Sequence, residues 1–515
     1  MTSGSRALTM AKHKLDKDLK RVEKLEEGTQ AHAMRMLPAS LALVFLVLTG
    51  MAALLVSGMG PGWVVIVGAA VVGGYMAMNI GANDVANNMA PAVGSRALTI
   101  GVAVVLAAIF EAAGAIIAGG AVVATVSGGI IQPDLLPSTA HFITGMLAAL
   151  FAAAVWLNVA TAFGAPVSTT HSIVGGVLGG GIAMAGFGVA DWSVMARIVA
   201  SWVISPVMGG VIAAGFLAYI KFTILFRPDM LTQAQRRVPL LVAIMAGAFA
   251  AYLLIKGLER VWEVPIWLAL IFGMGVGTAT RAIVKPLIVR RVQGLENRRS
   301  SVSELFTVPV IFGACLLSFA HGSNDVANAI GPLTAIYTSI VEEEMVARAE
   351  IPIWTMVVGA IGISAGLLLY GPKLIRSVGS KITKLNRVRA FCVTLSAAIT
   401  VIIASTLGVP VSSTHIAIGA LFGVGFLREY VYNNRDLGAV LSLEPPQPKI
   451  DPATGEAIAT EKYFKAKHRF LVRRGYAIAI VTAWIVTVPA TALMAAGLAL
   501  GLQAIGIDIF LPSNL

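Results

Sequence analysis

Long apolar stretches recur along the whole chain, and they limit the choice of fold more than any other feature. They lie near residues 37–58, 62–82, 97–119, 139–162, 193–220, 238–258, 264–283, 304–322, 351–370, 391–408 and 475–503. Most contain about 20 residues, the length that an α-helix needs to cross roughly 30 Å of hydrocarbon. With 57% hydrophobic and only 12% charged residues, the chain is too apolar for one soluble core. We therefore predict an all-α polytopic membrane protein.

The basic residues are concentrated between the apolar stretches, and their distribution predicts the topology. Cytoplasmic loops of membrane proteins accumulate lysine and arginine. If the N-terminus is cytoplasmic, the cytoplasmic segments hold 34 of the 38 lysines and arginines, and the C-terminus lies outside. The net charge of +12 then needs no nucleic-acid partner. This trace requires residues 139–191 and 391–427 each to enter and leave on one side, so we predict two re-entrant hairpins.

Two polar regions stand apart from the apolar stretches. Residues 1–36 are far too long for the n-region of a signal peptide, so we predict a charged cytoplasmic tail and, at 37–58, an extra transmembrane helix. Residues 428–474 include "EPPQPKIDPATGEAIATEK", which has loop composition. We predict that they form a cytoplasmic insertion.

The chain also contains two copies of one unit. "NDVAN" occurs around Asp84 and again around Asp325, 241 residues later, and "PVSTTH" at 166–171 matches "PVSSTH" at 410–415. Because the charge trace starts the first copy outside and the second inside, we predict two inverted-topology repeats, an architecture typical of secondary transporters. The expected fold has about 12 core helical segments with broken helices and re-entrant helical hairpins, plus the extra N-terminal helix. The predicted boundaries are 62–220 for the first repeat, 221–303 for a connector with two transmembrane helices and a basic cytoplasmic loop, and 304–427 with 475–503 for the second repeat.

Each copy places an aspartate and two or more asparagines at the end of an apolar stretch. An ionised aspartate near the bilayer centre costs roughly 2.5 to 3.5 kcal/mol, so it should face a partner or a wet cavity. A glycine before the motif (Gly81, Gly322) and a proline after it are expected to break the helix and free carbonyl oxygens for a small cation. The motifs therefore predict cation coupling through Asn83, Asp84, Asn87, Asn324, Asp325 and Asn328. The alternative is that the amides only join helices by hydrogen bonds.

The hydroxyl-bearing motif of each copy lies where a new helical limb begins. Free N–H groups converge there, and the partial positive charge of a helix N-terminus suits a tetrahedral oxyanion. The candidate residues are Ser168, Thr169, Thr170, Ser412, Ser413 and Thr414. Ordinary N-capping would explain a single occurrence equally well. We interpret His171 and His415, which follow, as satisfied residues at helix starts, with proton relay or substrate contact as the alternative.

Glu111 is a further carboxylate within an apolar stretch, and we expect it to face the cavity or to pair across helices. Aligning Gly114 with Gly359 places Met356 at the equivalent position of the second copy. The acid then has no counterpart, so the cation sites are not expected to be fully symmetric.

Sequence signatures of enzymes are missing. The chain contains neither the GxxxxGK[ST] of a P-loop nor the HExxH of a zinc protease. "GISAG" at 362–366 fits GxSxG, but it lies in a predicted transmembrane helix without the strand-turn-helix setting that activates such a serine. We predict no enzymatic activity and no cofactor.

The twin "GANDVANNMAP" and "HGSNDVANAIGP", the twin "PVSTTH" and "PVSSTH", and "YGPKLIRSVGSKITKLN" at 370–386 resemble the PiT family of inorganic phosphate transporters. The resemblance covers about 62–503 and implies a symporter of phosphate with Na+ or H+ that works by alternating access around a midplane site. It implies phosphate binding by Asp84, Asn87, Ser168, Thr169, Thr170, Asp325, Asn328, Ser412, Ser413 and Thr414. It implies cation binding by Asn83, Asp84, Asn324, Asp325 and Glu111, with Na+ at the first four.

Two other functions stay open at this point. A sulfate permease is the first, because some relatives in the family carry sulfate, and an anion channel or a non-transporting receptor is the second. The expected partners are inorganic phosphate, the coupling cation and membrane lipid, with a homo-oligomer as an open alternative. The expected location is a plasma membrane, specifically a bacterial inner membrane.

Overall fold

A computed structural model describes residues 36–162, 167–259, 262–343, 351–381, 385–433, 475–506 and 511. Residues 1–35 of the predicted tail 1–36 and most of the predicted insertion 428–474 lie outside these residues. The chain divides into two compact units. The first ends at Leu48, and of it the structure describes only the beginning of helix α1. The second extends from Thr49 and contains the other described elements.

The described residues are almost entirely helical. The α-helices are α1 Met36–Ser57, α2 Trp63–Gly94, α3 Ile100–Ala118, α4 Gly120–Gly128, α5 Thr139–Ala162, α6 Thr169–Ala185, α7 Trp192–Ile220, α8 Met230–Leu258, α9 Ile266–Val292, α10 Arg299–Leu305, α11 Thr307–Asp325, α12 Ala327–Val341, α13 Ile353–Lys381, α14 Arg387–Thr406, α15 Ser413–Asn433 and α16 Gly475–Ala504. Ten of these helices are long and apolar enough to cross a membrane, and a bent pair formed by α10 with α11–α12 would make an eleventh span. The prediction of an all-α polytopic membrane protein is confirmed.

Polar side chains fix the starts of several helices. The hydroxyl of Thr99 accepts a hydrogen bond from the N–H of Val102 at the start of α3. Oδ1 of Asp191 accepts from two N–H groups at the start of α7, each at 3.0 Å, and Asn386 caps α14 in the same way. The first N–H groups of a helix have no partner within it, so these caps satisfy donors that would otherwise be left unpaired.

Two helix pairs fold back at the hydroxyl-bearing motifs. Helix α5 is followed by α6, which packs against it, and α14 is followed by α15, which packs against α14. Other contacts join helices from different halves of the sequence. Helix α2 packs along α13, α3 along α11, α7 along α15, and α6 along α16. The connector helices α8 and α9 pack mainly against each other. The motifs at the hairpin tips are thereby enclosed by helices of both halves.

The expected helix break at the NDVAN motifs is wrong for the first copy. Helix α2 runs without interruption through Gly81 and includes Pro91, and in the second copy only Val326 separates α11 from α12. Gly81 serves packing instead, because a Cβ there would overlap the carbonyl oxygen of Ile363 on α13. The irregular backbone of the described residues near the motifs lies at the hairpin tips, where a helix ends and the next begins.

Reciprocal glycine contacts correct the expected counterpart of Glu111. A Cβ at Gly322 would overlap the carbonyl oxygen of Glu111, just as one at Gly81 would overlap that of Ile363. Gly81 and Gly322 occupy the same position of the two NDVAN copies. The position equivalent to Glu111 is therefore Ile363 and not Met356. The second copy lacks the acid, as expected, but at a different residue.

We expect Gly366→Ala to destabilise the protein, since its Cβ would overlap the carbonyl oxygen of Met78 on α2. Two helix backbones in contact cannot separate without disturbing their neighbours, and overpacking of this kind costs about 1–3 kcal/mol. Thermal unfolding of the purified protein in detergent measures the loss. Gly101→Ala is the matched control, because a Cβ at that exposed helical glycine meets nothing within 4 Å. An equal effect of both substitutions would contradict the close approach of α2 and α13.

Candidate functional site

Two buried aspartates form the centre of the candidate site. Asp84 lies on α2 and Asp325 at the end of α11, and each side chain is about 1% exposed. The hydroxyl of Thr169, at the start of α6, lies 3.2 Å from Oδ2 of Asp84 and 3.4 Å from Oδ2 of Asp325, so its single proton can be donated to either aspartate. Oδ1 of Asp84 also accepts from Thr414 at 3.0 Å, and Oδ2 of Asp325 accepts from Ser413 at 3.2 Å. The structure thus brings both NDVAN motifs and both hairpin tips into one cluster.

The asparagines of the two motifs make crossed contacts. Asn87, in the first half of the sequence, donates to the hydroxyl of Thr414 in the second half at 2.8 Å. Asn328, in the second half, donates to the hydroxyl of Thr170 in the first half at 3.1 Å. Thr170 and Thr414 hold the same position of the two hydroxyl motifs. Each half therefore contacts the hairpin tip of the other through the same pair of residue types.

The other two motif asparagines reach the backbone of the hairpin tips. Nδ2 of Asn83 donates to the carbonyl of Val167 at 3.5 Å. Nδ2 of Asn324 donates to the carbonyl of Val409 at 3.2 Å, and its Oδ1 accepts from the N–H of Val411 at 3.1 Å. These two residues, predicted as cation ligands, are thus also the residues that position the tips beside the aspartates.

The serines at the tips are N-caps. The hydroxyl of Ser168 accepts from the N–H of His171 at 3.2 Å, and that of Ser412 accepts from the N–H of His415 at 3.4 Å. These serines can cap the helices while the helix starts also bind an anion. A cap occupies one N–H group, and the first turn of a helix has other N–H groups that point the same way. The two helix starts converge on the aspartates through Thr169 and Ser413.

The two histidines of the hydroxyl motifs contact each other. Their rings meet edge to face with centroids 5.0 Å apart, and the ring of His171 also contacts Trp202 on α7 with centroids 3.7 Å apart. The indole N–H of Trp202 donates to the carbonyl of Pro410 at 3.3 Å. These residues join the two hairpins to each other, while the carboxylate cluster is contacted by a different histidine.

That histidine, His321, was not identified as a site residue from the sequence. It is fully buried on α11, with Nε2 3.1 Å from Oδ2 of Asp325 and 3.8 Å from Oδ2 of Asp84. Its Nδ1 lies 3.2 Å from Oε2 of Glu111 on α3. The residue begins the stretch "HGSNDVANAIGP", where the first copy has Ile80. The signal in the sequence is this difference between the copies, because a comparison of their identical positions does not mark His321.

Glu111 joins the cluster through His321 and through a second residue that the sequence did not reveal. Nδ2 of Asn88, on α2, donates to Oε1 of Glu111 at 2.8 Å, and both side chains are fully buried. In the second half, Ile363 holds the position equivalent to Glu111, and in the first half, Ile80 holds the position equivalent to His321. Glu111 and His321, which both lack a polar counterpart in the other copy, therefore contact each other. The two departures from symmetry in the site form one pair.

The ring of His321 faces carboxylates at both of its nitrogens, which limits where protons can lie. Ionised carboxylates only accept hydrogen bonds, so an imidazole between two of them is satisfied on both sides only as the doubly protonated cation. A neutral ring requires one of the facing carboxyls, on Glu111 or Asp325, to carry the proton. Either way, the histidine reduces the negative charge of the cluster by one.

The cluster also contains acceptor oxygens without donors. Among the described residues, none donates a hydrogen bond to Oδ1 of Asp325, Asn328 or Asn88, although all three are buried. Ligand atoms of Asp84, His321 and Asp325 lie within 4.8 Å of one another. Buried acceptors and buried charges are normally hydrogen-bonded, paired or bound to a metal ion. The arrangement therefore suits a small cation with oxygen ligands beside the aspartates.

Comparison with known proteins gives a consistent result. A sequence profile of the phosphate transporter family, PHO4, matches residues 80–495. The chain is 44% identical over 523 residues to a protein of Helicobacter pylori strain J99 named "Putative phosphate permease", covering 93% of this chain and 97% of that one. A protein of the same name from Chlamydia muridarum is 39% identical over 387 residues, covering 71% and 90%. A solved structure, "The sodium-dependent phosphate transporter", matches with a TM-score of 0.74 and 32% identity, over 86% of this chain and 100% of that one.

Proposed function

Because the chain belongs to the phosphate transporter family, we propose that it is a secondary active transporter that moves inorganic phosphate together with Na+ or H+. One observation carries the proposal: hairpin tips from opposite halves of the sequence meet two buried aspartates in one cluster. Hydroxyl donors, helix N-termini and carboxylates at one place suit an anion that travels with cations. The family is one of transporters and not of enzymes.

We place the phosphate at the hairpin tips. Its oxygens would accept hydrogen bonds from the N–H groups at the starts of α6 and α15 and from hydroxyls that now donate to the aspartates. The proposed phosphate-binding residues are Asp84, Asn87, Ser168, Thr169, Thr170, Asp325, Asn328, Ser412, Ser413 and Thr414. No lysine or arginine contributes to this set, so the charge of the anion would be compensated by the accompanying cations.

We place the cations beside the aspartates, at Asn83, Asp84, Asn324, Asp325 and Glu111. With an imidazolium at His321, the three carboxylates leave the cluster with two negative charges, which two monovalent cations would neutralise. The free Oδ1 of Asp325 supports this placement. The solved relative is named as sodium-dependent, which favours Na+ over H+ as the coupled ion.

The energetics of anion uptake supports coupling to two or more cations. Moving a divalent anion into a cell at 100 mV, negative inside, costs about 4.6 kcal/mol. Two monovalent cations cancel this opposition, and their concentration gradient then drives uptake. A measurement of charge moved per phosphate in proteoliposomes tests this stoichiometry, since net negative charge carried inward would contradict it.

Alternating access would follow from an inverted repeat. The crossed contacts of Asn87 with Thr414 and of Asn328 with Thr170 support two halves related by a pseudo-twofold axis through the site. In this proposal the halves move relative to one another so that the cluster opens to each side in turn. The chain would lie in the inner membrane of a bacterium, with its N-terminus in the cytoplasm and its C-terminus outside.

Uptake of radiolabelled phosphate into proteoliposomes tests the function. With Na+ and pH gradients imposed independently, we expect an inward Na+ gradient to drive phosphate above its equilibrium concentration. Excess sulfate should leave this uptake unchanged. Competition by sulfate would instead indicate a sulfate permease. Phosphate movement that never exceeds equilibrium would indicate a channel and would contradict the proposal.

A further inference from the structure

An open apolar groove with a volume of about 360 Å³ lies between helices α7 and α8. Ile212, Phe216 and Tyr219 line it from α7, and Leu240 and Ile244 from α8. The phenol hydroxyl of Tyr219 is the polar group among these side chains. At 1.5 Å per residue, the lining of α7 extends over roughly 10 Å of the helix axis. The groove is therefore long enough to hold part of one acyl chain.

The groove belongs to the lipid-facing surface of the helices. Helix α7, with the following π-helical turn Lys221–Leu225, is one of the candidate spans, and α8 is another. On α7, Val207 and Val211 are more than 60% exposed, so the helix presents apolar side chains to its surroundings. Helix α7 packs along α14 and α15, whereas α8 packs along α9, so the two helices have different main packing partners. A gap between such helices in a membrane is filled by lipid or by protein.

A cationic group stands at one end of this groove. Nη1 of Arg237 donates to the hydroxyl of Tyr219 at 3.2 Å, and its guanidinium lies 5.7 Å from the centre of the tyrosine ring. Among the described residues, no carboxylate lies within 4.0 Å of Arg237. The nearby Asp229 accepts from Gln233 instead. The guanidinium thus keeps donors that a phosphate group could use.

The position of this arginine fits the lipid headgroup region. Residues 221–237 form a basic segment that the charge distribution places in the cytoplasm, so Arg237 lies where α8 enters the membrane. The cytoplasmic leaflet carries anionic lipids, and basic side chains near its surface attract them. An apolar groove that ends at a guanidinium without a carboxylate partner matches both the acyl chain and the phosphate group of an anionic phospholipid, whereas free phosphate would use only the guanidinium.

We propose that the groove between α7 and α8 binds an anionic phospholipid, with one acyl chain along Ile212, Phe216 and Ile244 and its phosphate group at Arg237. The lipid fills the gap between two helices that pack against different parts of the bundle. Its presence therefore stabilises the arrangement of α7 relative to α8. This site lies apart from the aspartate cluster and does not depend on which anion is transported.

Two substitutions separate the two parts of the site. Arg237→Gln removes the charge that would contact the phosphate group, and Arg290→Gln is its control, an exposed arginine at the predicted cytoplasmic end of α9. Gly215→Phe fills the groove, since a Cβ at this lining glycine meets nothing within 4 Å and the ring has room to enter. Gly497→Phe is its control, at an exposed glycine of α16 that is equally open.

Native mass spectrometry of the full chain, titrated with phosphatidylglycerol or phosphatidylcholine, measures the bound lipid. We expect preferential binding of phosphatidylglycerol by the unchanged chain and by both controls. Arg237→Gln should weaken that binding about fivefold and remove the headgroup preference. Gly215→Phe should abolish binding of either lipid, and Gly215→Leu serves as a smaller filler should the phenylalanine impair folding. Inorganic phosphate at millimolar concentration should not displace the lipid.

Three results would overturn the proposal. Undiminished phosphatidylglycerol binding by Gly215→Phe and Gly215→Leu would place the lipid elsewhere. Retained headgroup preference in Arg237→Gln would exclude the guanidinium as its anchor. A shift in oligomeric mass on filling the groove, with lipid binding unchanged, would assign the groove to a contact between copies of the chain. None of these readouts involves transport, so they are independent of the test of the proposed function.

Discussion

Asp84→Asn and Asp325→Asn are each expected to abolish gradient-driven phosphate uptake while the protein remains folded. Asparagine has the shape of aspartate and keeps one oxygen that can accept from Thr169, Thr414 or Ser413, but it lacks the negative charge. Losing the charge that strengthens these hydrogen bonds, together with an anionic cation ligand, corresponds to about 3 kcal/mol, so uptake should fall about 100-fold. Radiolabelled uptake into proteoliposomes measures this.

Asp134→Asn is the control for these variants, because Asp134 is exposed and lies outside the cluster. It should transport like the unchanged protein. Size-exclusion profiles of all three variants should coincide, since the two central substitutions preserve volume. Full transport by both Asp84→Asn and Asp325→Asn would refute the assignment of the aspartates.

Glu111→Gln and His321→Gln are expected to be strongly and non-additively damaging. Removing one partner of a buried ion pair leaves the other without compensation, at a cost of about 3–5 kcal/mol. Glutamine keeps an oxygen that can accept from Asn88, so the first substitution tests the charge of Glu111 and not its bond to that amide. The double variant should be less destabilised than the sum of the single variants by about 1–3 kcal/mol.

Unfolding of the four proteins in mixed micelles gives the coupling free energy. His141→Gln replaces His321→Gln in the control cycle, because His141 contacts Ser138 and Gln503 instead of the cluster. That cycle should be additive within about 0.5 kcal/mol. An additive result for Glu111 with His321 would show that their 3.2 Å approach carries no energetic coupling.

The spans and most of the proposed site followed from the sequence because their signals are local or repeated. A run of apolar residues specifies a membrane helix wherever it occurs, and the two copies of NDVAN identify Asp84 and Asp325 without any knowledge of their surroundings. His321 and Asn88 were not predicted as site residues, because a comparison of the two copies identifies only the residues that they share. Their contacts with Glu111 join positions that differ between the copies, and only the packing of α3 against α2 and α11 brings them together.

Two other expectations failed because tertiary packing overrides local rules. Gly81 was expected to break a helix, yet in a helix surrounded by other helices a glycine mainly permits close approach, here to Ile363. The counterpart of Glu111 was misplaced because α13 offers several glycines as an alignment anchor, among them Gly359 and Gly366. The contact of Gly366 with Met78 selects the second, and nothing local in the sequence could do so.

The two crossed hydrogen bonds donated by asparagine side chains have a consequence for leakage of ions without substrate. Asn87 holds Thr414 of one hairpin while Asn328 holds Thr170 of the other, so any displacement that separates the halves must break both bonds in the same event. In the proposed transport cycle, the protein without substrate would lose both hydrogen bonds with no replacement. In the proposed transport cycle, a bound oxyanion that shifted both threonine side chains away from the asparagines would weaken both hydrogen bonds at once, and the barrier to separating the halves would fall when substrate is bound.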